Sequence, residues 1–493
     1  MLFNSIEYAI FLAVLFFLYW VLFNKNYKHQ NLLLLTASYF FYGYWDWRFL
    51  FLLSGLASFN YSLGILIGKN KKYRKLFFVT GVLIDISVLA VFKYLNFFID
   101  SFVTLSSKIG VVVNISSINI ILPLGISFYI FLSLSYIIDV YQGKLRSDYN
   151  VVDVLLSLSF FPILLSGPIQ RPITLLPQIS KKRVFDDSKA TDALRQILWG
   201  LFKKVVIADN CARVVNNIFD NYSDVSGITL IVGAIFYTIQ IYGDFSGYSD
   251  IAIGSARLFG FDLNRNFAYP YFSRDITEFW RRWHISLTLW FRDYVFLPVS
   301  FSLSRKISSN KVFGISSDLI IYSTGISVTW FLTGLWHGAN FTFITWGIIH
   351  GMVIFLYHIL RKPRKKLFRK LNIKKNNYFV IICEWFINIV IVITAWIFFR
   401  AKDMSTAFKY IGRIITDFKL QIPKNEGIGF DNYLLLILTG YILIEWLQRH
   451  KDNALDISGL KISKPVRWLI YYSLIGFIIF YSGDQQEFIY FQF

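Results

Sequence analysis

Two histidines in this sequence sit where histidine is costly. His337 closes an apolar run, Leu319 to Trp336, within Trp330-Phe-Leu-Thr-Gly-Leu-Trp-His-Gly-Ala-Asn340. A titratable imidazole in hydrocarbon-grade sequence must face protein or water rather than lipid. His284 lies 53 residues earlier, in a stretch over 278–294 that also holds three tryptophans and three arginines. That mixture suits neither lipid nor a plain soluble core. Histidine is the usual general base for a hydroxyl nucleophile, and burial keeps it neutral, as a base must be. The plainer alternative for each is a structural histidine bonded to a backbone carbonyl at a helix end. His337 and His284 are the catalytic candidates.

Around them, Trp280, Arg281, Trp283, Trp336, Asn340, His350 and Asp244 are candidates for a substrate path. His350 and His358 are eight residues apart on one helical face and lack an acidic partner. His358 reads as an interface residue. Arg281 and Arg282 could attract the phosphates of a donor, or pair with Glu278 or Asp293. Asp244 and Asp250 read first as acceptors or ion-pair partners that fix neighbouring chain. Other catalytic signatures are missing. Gly243-Asp-Phe-Ser-Gly lacks the GxSxG spacing, and neither GxxxxGK[ST] nor HExxH occurs. Two distant cysteines, Cys211 and Cys383, indicate neither a disulfide framework nor a zinc site. No metal and no bound cofactor is expected.

The elements that must position these residues are membrane helices. The 493 residues are 55% hydrophobic and 19% aromatic, with mean hydropathy +0.51. Apolar runs of about twenty residues recur, each enough to cross roughly 30 Å of hydrocarbon. An outer-membrane barrel would show short alternating segments instead. The net charge of +20 is scattered among the spans. It reads as cytoplasmic loops and contact with membrane lipids, not as a nucleic-acid surface.

In chain order the apolar segments are Tyr8–Phe23, Leu32–Tyr44, Phe49–Ile67, Phe77–Phe98 and Leu122–Tyr141. A loop is expected over 99–118. Val151–Leu165 is short and ends in Ser166-Gly-Pro-Ile-Gln-Arg-Pro172, so it reads as a re-entrant segment. Ala190–Val215 reads as an amphipathic helix on the inner face, with Lys203 and Lys204 toward the cytoplasm. Ile228–Tyr242 and Ile251–Phe261 flank the segment Gly243 to Asp250. A single helix over 278–294 would put Trp280, Trp283, His284, Leu287 and Phe291 on one face. Leu319–Trp336, Phe341–Leu360, Phe379–Phe399, Tyr433–Leu447 and Leu469–Tyr481 follow, with a short amphipathic helix near Ala407–Ile415. The fold class is an all-α polytopic membrane protein of about eleven crossings plus broken and interfacial helices, in one domain over 1–493. The basic stretches Arg361–Lys375 and Arg449–Arg467 read as cytoplasmic, which puts both termini outside.

Three groups of residues resemble the signature segments of the membrane-bound O-acyltransferase (MBOAT) family. They are Trp280-Arg-Arg-Trp-His284-Ile-Ser-Leu, Trp290-Phe-Arg-Asp-Tyr, and Thr333-Gly-Leu-Trp-His337-Gly-Ala. The segments from Tyr242-Gly-Asp-Phe-Ser-Gly, from Ser166-Gly-Pro-Ile-Gln-Arg-Pro and from Phe488-Ile-Tyr-Phe-Gln-Phe resemble the bacterial branch that serves alginate and peptidoglycan O-acetylation. The resemblance covers nearly the whole chain. It implies helices around a central tunnel, with His337 as the catalytic histidine and His284 as a second polar residue of the same chamber. It also implies an acyl donor, acetyl-CoA, at the cytoplasmic face of the bacterial inner membrane. The implied acceptor is a polysaccharide hydroxyl, or an extracytoplasmic SGNH-type partner that completes the transfer. Where alginate-type members have Tyr-Phe-Asp, this chain has Tyr242-Gly243-Asp244.

Three alternatives remain open at this point. One is D-alanyl transfer to teichoic acid, since that group shares the two histidines. Another is a lipid-linked sugar flippase, which would need polar residues spread along a path and often repeat symmetry. The third is a structural scaffold, in which His337 would be dispensable.

Overall fold

The helix pair that carries His337 is built on close backbone contact. Ser317–His337 and Phe341–Lys370 form an antiparallel hairpin closed by Gly338, Ala339 and Asn340. A Cβ on Gly347 would collide with the Trp330 carbonyl oxygen, and one on Gly334 would meet the Phe343 carbonyl oxygen at 2.5 Å. Small residues let helix backbones approach where no hydrophobic force separates helix from lipid. Asn340 starts the second helix, its side chain accepting from the Thr342 amide at 3.0 Å.

The structure is a computed structural model that describes every residue except 166, 375–376, 419–431, 453, 458–461, 483–484 and 492–493. Ser166, Lys375, Asp484, the C-terminal Phe493 and residues 419–430 therefore lie outside the described residues. Among the described residues, six helices are long and apolar enough to cross a membrane: Phe49–Lys69, Arg74–Lys108, Gly227–Leu258, Ser317–His337, Phe341–Lys370 and Tyr378–Arg400. Ile6–Leu22, Ile126–Tyr141 and Asn432–Leu447 are shorter apolar helices. The chain is an all-α, multi-pass membrane protein. The strands found among the described residues are a two-stranded hairpin, Lys311–Val312 with Ile315–Ser316.

The chain packs as two units. The first comprises 1–201 and 248–264, the second 202–247 and 265–493. In the first unit, Val151–Ser159 and Phe161–Leu164 are two short, mostly buried helices. Protein surrounds them, as a broken segment requires. Two buried polar pairs lie there: Asn60 donates to Asp85 at 2.9 Å and Asn31 to Asp153 at 2.8 Å.

The second unit holds both candidate histidines, and several segments in the chain depart from the sequence reading. The apolar segments flanking Gly243 to Asp250 are continuous through it, because Gly227–Leu258 is one helix of 32 residues. Its aspartates have side-chain partners, Lys204 for Asp244 and Gln196 for Asp250, each at 2.8 Å. The helix expected over 278–294 is interrupted at His284, between Ile276–Arg282 and Ile285–Phe291. Lys203 and Lys204 are not at a polar face. They lie on a π-helical turn, Phe202–Ala208, and are 3% and 1% exposed. Arg361–Lys370 is helical rather than a loop, continuing the His350 helix, since lysine and arginine are good helix formers. The loop expected over 99–118 is helical as far as Lys108.

Gly347→Ala should lower the thermal midpoint of the detergent-solubilised protein, since overpacking costs about 1–3 kcal/mol. Fluorescence-monitored melting checks this. A midpoint equal to that of the unsubstituted protein would mean that the two backbones are not in contact at Gly347.

Candidate active site

His284 is placed by a local break. Its backbone is left-handed, with φ 40° and ψ 55°, an uncommon conformation for a side chain other than glycine. The segment preceding the Ile276–Arg282 helix returns to hold it there. Ala268 donates to the Arg282 carbonyl and Ile285 to the Asn266 carbonyl, each at 2.9 Å. The Asn266 side-chain oxygen then fixes the ring. It lies 3.0 Å from His284 Nδ1 and accepts from the Ser286 amide at 3.3 Å and from the Ser286 hydroxyl at 3.0 Å.

These contacts assign the tautomer. A backbone N–H can only donate, so the Asn266 atom it meets is the oxygen. His284 Nδ1 must therefore carry the proton. Nε2 is left with its lone pair and has no hydrogen-bond partner among the described residues. Full burial also pushes the His284 imidazole below its ordinary pKa, so the ring is neutral.

His337 ends its helix inside an aromatic cluster and is 3% exposed. Its ring centroid lies 4.8 Å from Trp336, 4.7 Å from Trp346, 5.0 Å from Phe399 and 5.6 Å from Tyr490. His284 meets two of the same rings, Trp336 at 6.0 Å and Tyr490 at 6.4 Å. The two histidines thus meet the same two buried rings, Trp336 and Tyr490. His350 joins the cluster through Trp346 at 4.9 Å. Trp280 donates its indole N–H to His350 Nδ1 at 3.3 Å, which puts the His350 proton on Nε2.

The other candidates divide. Trp280 packs on His350 and Trp330. Trp283 faces Phe267 and Trp396, each at 5.0 Å. Asn340 is a cap that also donates to the Lys402 carbonyl at 2.9 Å. Asp244 pairs with Lys204 at 2.8 Å and accepts from the Ile489 amide at 2.8 Å. The sequence reading missed Asn266, Trp346, Phe399 and Tyr490. Only Tyr490 had a signal, in the aromatic C-terminal ending.

Arg281 faces a different space. A cavity of about 1170 Å³ is lined by Arg274, Arg281, Arg282, Arg361, Arg364 and Arg449, with His358 and His450. Asp275, Glu278 and Glu384 are its acidic lining, leaving three more arginines than carboxylates. Glu278 holds Arg282 at 2.6 Å and Glu384 holds Arg364 at 3.2 Å. Ile354 lines the cavity one helical turn beyond His350. Among the described residues, no group of three or more His, Cys, Asp or Glu side chains is placed to hold a metal ion.

Asn266→Ala would strand three buried donors at a cost of about 1–3 kcal/mol each. Its melting midpoint should fall clearly, whereas Asn266→Asp, which keeps an acceptor oxygen, should retain most of the stability. Equal midpoints for the Ala variant and the unsubstituted protein would remove Asn266 from this role.

Residues 141–319 match the family model described as MBOAT, membrane-bound O-acyltransferase family. A protein of Pseudomonas aeruginosa named probable alginate O-acetylase AlgI is 36% identical, over 82% of this chain and 73% of its own. The peptidoglycan O-acetyltransferase of Helicobacter pylori is 30% identical, over 98% of this chain and 95% of its own. The teichoic acid D-alanyltransferase of Bacillus subtilis is 30% identical over a shorter match, 50% of this chain and 62% of its own. This chain is a multi-pass membrane acyltransferase and belongs to the membrane-bound O-acyltransferase family.

Proposed function

We propose that this protein takes an acetyl group from acetyl-CoA at the cytoplasmic face of a bacterial inner membrane and delivers it to a hydroxyl of an exported or cell-surface polysaccharide. The observation that carries this reading is the meeting of His284 and His337 on Trp336 and Tyr490, in a cluster that continues through His350 toward an arginine-rich cavity. The relatives named for alginate and peptidoglycan O-acetylation support acetyl as the group and a polysaccharide as its destination.

On this reading His337 is the general base. Its imidazole takes the proton of the acceptor hydroxyl as that oxygen attacks the thioester carbonyl. The C–O bond forms, the C–S bond breaks, and the proton passes to the departing thiolate. His284 acts beside it, with Asn266 holding the Nε2 lone pair available. Trp280, Trp283, Trp336 and His350 line the acyl path. Arg281 and its neighbours hold the phosphates of the donor, for which a fork of N–H donors is suited. Asn340 and Asp244 keep their segments in place. The acceptor is the polysaccharide itself or a serine on an extracytoplasmic SGNH-type partner. Both termini lie outside, a reading supported by the basic run from Arg361 to Lys370.

Teichoic acid D-alanylation is the second reading, favoured by the match to the Bacillus subtilis protein. Acetyl-CoA and a carrier-borne D-alanyl thioester, offered in parallel to the purified protein, separate the two.

His337→Ala should abolish transfer, a loss of about 10²–10⁴-fold or more, while the protein inserts and melts normally. Near-normal acetylation at equal expression would refute the role. Arg281→Ala should instead raise KM for acetyl-CoA with little change in kcat, the signature of lost donor binding. A change confined to kcat would move Arg281 out of the donor site. A periplasm-only reporter joined after residue 493 should be active, and activity of a cytoplasm-only reporter there would reverse the proposed direction.

A further inference from the structure

Three charged side chains are buried together in the second unit, away from any polar surface. Lys204 is 1% exposed, and Asp209 and Asp244 are 3% exposed. The Lys204 ammonium lies 2.8 Å from each carboxylate. Charges removed from water persist only when paired and hydrogen-bonded. Here all three also hold the same piece of backbone. Lys204 donates to the Gln486 carbonyl at 3.0 Å. Asp209 accepts from the Gln486 amide. Asp244 accepts from the Ile489 amide at 2.8 Å.

That backbone has little regular structure of its own, only a short 3₁₀ turn at Ile489–Phe491. Its buried amides and carbonyls need outside partners. The anchoring is also specific in register. Asp244 grips the amide of Ile489, and the next residue on each segment makes the adjoining contact: the Phe245 ring meets the Tyr490 ring at 4.4 Å. Phe245 also meets His284 at 4.6 Å. Tyr490 stands 5.6 Å from His337 and 6.4 Å from His284. An apolar anchor would bury the strap equally well but would not select which residue faces the histidines.

We propose that Lys204, with Asp209 and Asp244, is a positioning device for acyl transfer: the ionic cluster fastens residues 486–491 as a strap and so sets Tyr490 against both histidines. The proposal rests on the reading of His337 as the base. Lys204 touches neither donor nor acceptor. It governs the rate of the step and leaves donor affinity alone.

The test uses the full-length protein in liposomes with acetyl-CoA and a polysaccharide acceptor. Lys204→Met should lower kcat by at least about tenfold with KM for acetyl-CoA within about twofold, and Lys204→Arg should recover part of the rate. A chain ending at Glu487 should show a similar loss, and Lys204→Met in that shortened chain should cost nothing more, since the two changes act through one element. Multiplying losses, or a loss in KM alone, would overturn the proposal. If Lys204→Met does not fold, Asp244→Asn carries the same measurements. A second readout is independent of the reaction. Phe488→Cys, at a fully buried position of the strap, with Cys211 and Cys383 replaced by serine, should react slowly with a membrane-permeant maleimide and much faster once Lys204→Met is added. Unchanged labelling would overturn the strap. Changed labelling with no acetyl transfer by the unsubstituted protein would overturn the functional reading and leave the strap standing.

Discussion

Two helix backbones touch at Gly334 and Gly347, and the position of the site follows from that contact. With no side chain between them, the Ser317–His337 and Phe341–Lys370 helices bring Trp330 within 5.5 Å of His350 and His337 within 4.7 Å of Trp346. Lipid supplies no force that presses helices together, so the pairing rests on close packing. A wider crossing would separate His337 from Trp346 and His350 from Trp330.

A second constraint acts on polar groups, which must find partners wherever water is excluded. Two solutions operate in the second unit. Around His284 a single neutral acceptor, the Asn266 oxygen, serves three donors. It selects one tautomer without adding charge beside the ring. Around the C-terminal segment the solution is ionic, and Lys204 outweighs its own burial by pairing with two carboxylates, which keeps its pKa above the ordinary lysine value. The neutral device suits a ring that must stay uncharged. The ionic device suits a segment that must be held fast.

The histidines were legible in the sequence for the reason that their neighbours were not. A titratable side chain in an apolar run stands out by cost alone, so His337 and His284 could be picked without a fold. The break at His284 could not. Trp280, Trp283, His284, Leu287 and Phe291 have helical spacing whether one helix or two carries them, and periodicity does not register a single left-handed residue. Asn266 was invisible because its role exists only once residues 266–268 pair with 282–285, a tertiary event. Asp244 and Asp250 read from the sequence as acceptors or ion-pair partners, but the partner of Asp244 did not: Lys204 looked like a surface residue. The glycine at 243 has a local cause. A Cβ there would meet Ile207 and the Lys203 carbonyl at 3.3 Å, so the π-helical turn carrying Lys203 and Lys204 leaves little room for the phenylalanine of alginate-type sequences.

On the proposed reaction, the seven residues of Ile276–Arg282 stand between a charged donor and the place of reaction. Thr277, Glu278, Arg281 and Arg282 line the arginine-rich cavity, while Phe279 and Trp280 pack toward His350. The helix is thus a partition one side chain thick, polar on one face and aromatic on the other. On that reaction a phosphate-bearing donor needs the first face, where the arginines are. An acyl group meeting a base needs the second, because water admitted there would compete with the acceptor hydroxyl and hydrolyse the thioester. On the proposed reaction the thioester must reach past this partition while the phosphates stay behind it. His350, bonded to Trp280 and one turn from the cavity-lining Ile354, stands at that boundary. The partition also accounts for the interruption at His284: a helix continued straight past Arg282 would keep the spacing of its two faces but could not turn the next imidazole toward Trp336 and Tyr490.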